Sequence, residues 1–114
     1  MKLGQYDKAI KGFTQALELS LNNDERVPND SNQTWQAHYC RRLGLVYYYM
    51  GNYKKASEYY LKAYDRNKLS DGYMAAIKSI CSYAHTEILL GNHETAKKSV
   101  SECAEWLNNN SDKI

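Results

Sequence analysis

Residues 40–63 decide the fold of this chain, and they read CRRLGLVYYYMGNYKKASEYYLKA. Two sets of residues in this stretch recur at the spacing of a single helix face: first Cys40, Leu43, Gly44 and Tyr47, then Ala56, Tyr60 and Ala63. Gly51 lies between the two sets. A helix ends easily there, because glycine takes the left-handed conformation of a helix C-terminus at little cost. The stretch therefore predicts a helical hairpin whose small residues let the two helices approach closely.

The second half of this hairpin occurs three times in the chain. The copies begin LGQYDKAI at Leu3, MGNYKKAS at Met50 and LGNHETAK at Leu90. Each continues with a large apolar residue four positions after the alanine and a small residue three positions later. Self-similarity of this kind is the mark of stacked helical hairpins, in which every unit buries its apolar face against its neighbours.

The pattern resembles the tetratricopeptide repeat family over most of the chain. The resemblance implies an all-α fold of about five antiparallel helices stacked as a solenoid, and a non-enzymatic scaffold that binds a protein or peptide. Three features depart from the family. The usual closing proline is missing, Glu87 and His93 stand where aromatic residues are common, and the glycines at 4, 51 and 91 lie farther apart than the usual repeat of about 34 residues.

The repeats predict an organisation in five segments. These are a helix B of a truncated repeat (1–21), a polar loop (22–31), a second repeat (32–67), a third repeat (71–107) and a tail (108–114). Ser31 and Asp71 are the expected N-caps of the first helices in the second and third repeats. The pattern begins in mid-repeat, so we expect a fragment of a longer solenoid. The alternative is a small protein that borrows its missing helix from a partner.

Composition narrows the function without identifying it. The net charge is +2, which gives no electrostatic reason to expect a nucleic-acid partner. No apolar run approaches the length of a membrane span. The three cysteines are odd in number and form no CxxC pair, which fits a reducing compartment and predicts a cytoplasmic protein.

Candidate chemistry is sparse in this sequence. The segment His93–Lys97 begins like a zinc-protease helix but has lysine where the second histidine is needed. Cys81, His85 and His38 offer at most three ligands, whereas a structural zinc site takes four. We find no catalytic triad pattern and no phosphate loop, so we expect no enzyme activity, no metal and no cofactor.

The first helices of the second and third repeats are expected to line a concave groove. Its candidate residues are His38, Arg41, Leu45, Tyr48, Tyr49, Lys78, Cys81, His85, Ile88 and Leu89. This strip is cationic at one end and aromatic or aliphatic at the other, which matches a peptide with an acidic group and apolar anchors. Alternatively, these residues simply face solvent. The carboxylate clamp of some family members is not supported, because Leu45 and Ser82 replace two of its polar residues.

Two further interpretations stay open at this point. In one, the chain is the peptide-sensing regulatory domain of a bacterial transcription regulator or sensor kinase, for which long repeats are typical. In the other, a related helical-repeat family binds RNA, against which the small net charge argues. The first helix also carries an apolar stripe that lacks one packing partner and predicts a homodimer. The stripe consists of Ala9, Ile10, Phe13, Ala16 and Leu17.

Overall fold

The computed structural model describes residues 3–22 and 30–113, which form five α-helices and one short 3₁₀ turn. The helices are α1 (Leu3–Asn22), α2 (Asp30–Tyr49), α3 (Tyr53–Leu69), α4 (Tyr73–Leu89) and α5 (His93–Asn109), and the 3₁₀ turn is Ser111–Lys113. Each helix packs against the next one along the chain. The predicted all-α solenoid of about five helices is confirmed.

The predicted glycine stops are present at two of the turns. Gly51 has a φ of +81° and Gly91 a φ of +85°. After each glycine the chain folds back onto the helix that it leaves: the Asn52 amide donates to the Tyr47 carbonyl at 2.9 Å, and the Asn92 amide to the Glu87 carbonyl at 2.8 Å. Asn52 then caps α3, because its side-chain oxygen accepts from the Lys55 amide at 3.3 Å.

The turn between α3 and α4 differs from the prediction. Asp71 is not the N-cap of α4. Gly72 occupies that position, and because it has no side chain, α4 begins without a side-chain cap hydrogen bond. Asp71 instead has a φ of +53° and takes the place that glycine has in the other two turns. The Gly72 amide donates to the Asn67 carbonyl at 2.8 Å, which closes α3. Aspartate tolerates this left-handed conformation better than most residues, which explains the exchange of roles.

The helix ends differ elsewhere by a few residues. Because α2 begins at Asp30, Ser31 lies inside the helix and is not its N-cap. The second helix of the third repeat extends to Asn109, and the Asn110 side chain bonds the Trp106 carbonyl at 2.7 Å just beyond it. Most of the predicted polar loop, residues 23–29, lies outside the described residues.

The core extends through α2, α3 and α4 and includes Cys103 of α5. Leu43, Ala56, Ala63 and Ala76 are completely buried. The helices α2 and α3 come close together at Gly44, where an added Cβ would lie 2.8 Å from two carbons of the Tyr60 ring. Small residues on one helix therefore receive large ones from the next, as the sequence pattern predicts.

A buried polar contact fixes α3 against α4. The Asn67 side chain is almost fully buried. The nitrogen of this side chain faces the backbone carbonyl oxygens of Ala63 and Ala75, which can only accept hydrogen bonds. It donates to Ala63 at 2.9 Å and to Ala75 at 3.2 Å, and it lies 2.8 Å from the Ser79 hydroxyl. Because these partners come from both helices, the contact selects one register of α4 on α3.

None of the helices in the described part of the chain is long and apolar enough to cross a membrane.

Candidate functional site: a cationic groove between two helices

A groove runs between α2 and α4, with α3 beneath it. It consists of three adjoining cavities of about 350, 160 and 180 Å³. The first two share Arg41, and the last two share Leu45, Tyr60 and Ser82, so the cavities form one surface. We call this surface the α2–α4 groove. It is formed because α2 and α4 both pack on α3 and leave a cleft above it.

One end of the α2–α4 groove is cationic. Arg41 from α2 and Lys78 from α4 line opposite walls of the 350 Å³ cavity, and Arg42 lines the next one. Among the described residues, no aspartate or glutamate lines any of the three cavities. Burial, and then the neighbouring Arg42 and Arg41, lower the pKa of His38 below its ordinary value, which favours its uncharged form.

The other end of the groove is aromatic. The Tyr48 hydroxyl lies 3.0 Å from Nε2 of His85, and the two rings are 5.8 Å apart. This hydrogen bond connects α2 to α4 across the end of the groove. Leu45 and Tyr60 lie beside the pair, so this end offers apolar area with a few hydrogen-bonding groups.

Comparison with protein-family models identifies the family to which this architecture belongs. One model described as tetratricopeptide repeat matches residues 37–69, and a second with the same description matches residues 1–23. The chain belongs to the tetratricopeptide repeat (TPR) family. The first match spans most of the α2–α3 hairpin that carries one wall and the floor of the groove, and the second spans α1. Comparisons with curated proteins and with solved structures gave no match.

TPR repeats generally mediate protein–protein interactions and generally serve as non-enzymatic scaffolds. In this TPR chain the groove lies between α2 and α4, which are the first helices of two successive hairpins. This is the surface on which the sequence pattern predicts that a partner binds.

The structure brings together part of the predicted site. Six of the predicted residues line the α2–α4 groove: His38, Arg41, Leu45, Tyr48, Lys78 and His85. Four others are exposed but line none of its three cavities: Tyr49, Cys81, Ile88 and Leu89. For Cys81 and Ile88 the reason is helical register. Lys78, Ser82 and His85 form the face of α4 toward α2, and Cys81 and Ile88 lie about a quarter-turn away from it.

Sequence reasoning missed several residues of the groove. Those on α2 and α4 are Thr34, Ala37, Arg42, Met74, Ala75, Ser82 and Thr86. Helical spacing could have identified Met74 and Ser82, because they lie four positions before and after Lys78 and therefore share its helix face. Tyr60 and Asn67 come from α3, and no sequence signal places them at the groove floor, since both positions are typical of a core.

The histidine and cysteine residues considered as metal ligands do not form a site here. In the described ranges, no group of three His, Cys, Asp or Glu side chains is close enough to hold a metal ion. Nε2 of His85 is within hydrogen-bond distance of the Tyr48 hydroxyl instead.

Proposed function

We propose that this TPR protein binds a protein partner in the α2–α4 groove, and that the partner presents an acidic group beside an apolar or aromatic side chain. The observation that carries the proposal is the pair of cations on opposite walls of one cavity, Arg41 and Lys78, with no acidic side chain among the described residues that line it. Residues 33–49 of α2 and 73–86 of α4 contain no aspartate or glutamate at all.

Charge and shape contribute differently to such binding. Two unit charges 4 Å apart attract by about 1 kcal/mol in water and about 4 kcal/mol near a protein surface. Lys78 is exposed and Arg41 half-buried, so the lower part of this range applies to them. The cations therefore select an acidic partner and speed its arrival, whereas the affinity comes mainly from apolar contacts near Leu45, Tyr48 and Tyr60.

The partner also has to fit a cleft that is open along its length. The cationic cavity and the aromatic end lie in line along α2, because Arg41, Leu45 and Tyr48 are successive turns of one helix face. An extended or helical segment that carries its acidic group about two turns of α2 away from its apolar anchor satisfies both ends.

The test uses two fluorescent peptides that differ only in charge. One carries two adjacent glutamates followed by leucine and phenylalanine, and the other has glutamines in place of the glutamates. Fluorescence anisotropy gives the affinity of each at several salt concentrations. We expect the glutamate peptide to bind more tightly, and Arg41→Ala and Lys78→Ala each to weaken its binding and reduce its salt dependence.

Lys97 supplies the matched control, because it is an exposed lysine on α5 and lies outside the groove. Lys97→Ala should leave affinity and salt dependence unchanged. Equal losses in Lys97→Ala and Lys78→Ala, or equal binding of the two peptides, would contradict the proposed groove.

A further inference from the structure

A second cavity, of about 390 Å³, lies between α3 and the turn that joins α4 to α5. Ser57, Glu58 and Leu61 of α3 line one side of it, and Tyr83, Glu87 and Leu90 line the other. We call it the Glu87 cavity. On α4, Tyr83 and Glu87 lie on a different face from Lys78 and Ser82, so the Glu87 cavity is separate from the α2–α4 groove.

The carboxylate of Glu87 is the unusual group in this cavity. Its side chain is only 8% exposed. It accepts a hydrogen bond from the Ser57 hydroxyl on one oxygen and, on the other, a 2.7 Å hydrogen bond from the side-chain amide of Asn92. Within the part of the chain that the structure describes, no lysine or arginine is paired with it. A buried carboxylate normally has a cationic partner, because burial without one is costly.

The surroundings of Glu87 add to the negative charge. Glu58 lies on the wall of the same cavity and is exposed. Burial raises the pKa of Tyr83, and the negative charges of Glu87 and Asp65 raise it further. The walls also offer apolar surface, because Leu61 and Leu90 are 37% and 38% exposed.

We propose that the Glu87 cavity is a binding site for an arginine side chain of a protein partner. The guanidinium lies against the buried Glu87 carboxylate and the exposed Glu58 carboxylate, and its aliphatic stem contacts Leu61 and Leu90. Arginine fits better than lysine, because a guanidinium is less strongly hydrated than an ammonium and its several N–H groups reach two carboxylates at once. Lys54 lies at the edge of the cavity, where its charge weakens the binding of an incoming cation.

The test titrates the ¹⁵N-labelled chain with N-acetyl-arginine methylamide and follows its amide resonances by NMR. N-acetyl-norleucine methylamide, which has an apolar stem and no charge, is the control ligand. We expect saturable shifts at Ser57, Glu87 and Asn92 with the arginine ligand and none with norleucine. Glu87→Gln should weaken the arginine ligand about tenfold or more, because it removes a charge-assisted hydrogen bond.

Three further variants keep the test decisive. Glu58→Gln alters only an exposed residue, so it should fold normally and weaken binding about twofold. Lys54→Met should strengthen binding. Glu94→Gln, an exposed glutamate of α5 outside the cavity, should change nothing. The proposal is overturned if norleucine shifts the same resonances equally, if the arginine ligand produces no saturable shift there, or if binding is the same in the wild type, Glu58→Gln and Lys54→Met.

Discussion

Replacing Gly44 by alanine tests the close contact between α2 and α3. The added Cβ would lie 2.8 Å from Cδ1 and Cε1 of Tyr60 and 3.2 Å from the Ala56 carbonyl oxygen. Tyr60 is 4% exposed, so its ring is packed among other side chains and has to be displaced to admit the added Cβ. Overpacking of this kind costs about 1–3 kcal/mol, and the better helix propensity of alanine returns about 1 kcal/mol. We expect a net loss of up to about 2 kcal/mol.

The matched control is Gly12→Ala on α1. Nothing lies within 4 Å of a Cβ at Gly12, and the residue is exposed in the middle of a helix. The control should therefore gain up to about 1 kcal/mol from helix propensity alone. Thermal unfolding measures both, since 1 kcal/mol changes the melting temperature of a domain of about this size by about 4–8 °C. If Gly44→Ala stabilises the protein as much as Gly12→Ala does, the close approach of α2 and α3 is wrong.

Three other predictions follow from packing and burial. Ala63→Leu should lose about 1–3 kcal/mol, because Ala63 is completely buried, and an unchanged melting temperature would contradict the repeat alignment. Phe13 is only half-buried on α1, so we expect the wild type to form a homodimer at high concentration and Phe13→Glu to prevent it; sedimentation velocity that shows a monomeric wild type would refute this. Burial first, and then neighbouring Tyr48 and Tyr49, raise the pKa of Tyr60 to about 12, above its ordinary value of 10.0. The stability that this raised pKa contributes is complete below pH 10 and is lost as the pH rises toward 12. Melting temperatures should therefore fall over that range, and they should fall less in Tyr60→Phe. An equal fall in the wild type and in Tyr60→Phe would contradict this prediction.

The fold could be predicted from sequence because its signals are local. The spacing of Ala56, Tyr60 and Ala63 defines a helix face without knowledge of any other helix, and Gly51 and Gly91 mark turns by their own conformational freedom. The turn at Asp71 escaped prediction for the same reason. Aspartate is a common N-cap and only occasionally takes the left-handed conformation, so its local signal favoured the wrong role.

The candidate site could be predicted only in part, because a groove depends on how helices cross. One helix face already places Arg41, Leu45 and Tyr48 in line. The hydrogen bond between Tyr48 and His85, and the presence of Tyr60 at the floor, follow from the positions of α2 and α4 on α3. In the sequence, Glu87 stands out only as a departure from the usual aromatic residue. Its contact with Ser57 appears only once α3 and α4 are packed together.

The distribution of charge constrains the partner more than the net charge does. A net charge of +2 over 114 residues looks unremarkable. Within α4, however, Lys78 lines a groove to which the described residues contribute no acidic side chain, whereas Glu87 lies at a cavity that also contains Glu58. Since unlike surfaces select unlike partners, a single acidic segment suits the α2–α4 groove and is repelled at the Glu87 cavity. A partner that occupies both has to present an acidic group and an arginine on opposite sides of α4. Two different partners are the simpler arrangement, because each then needs only one kind of charge.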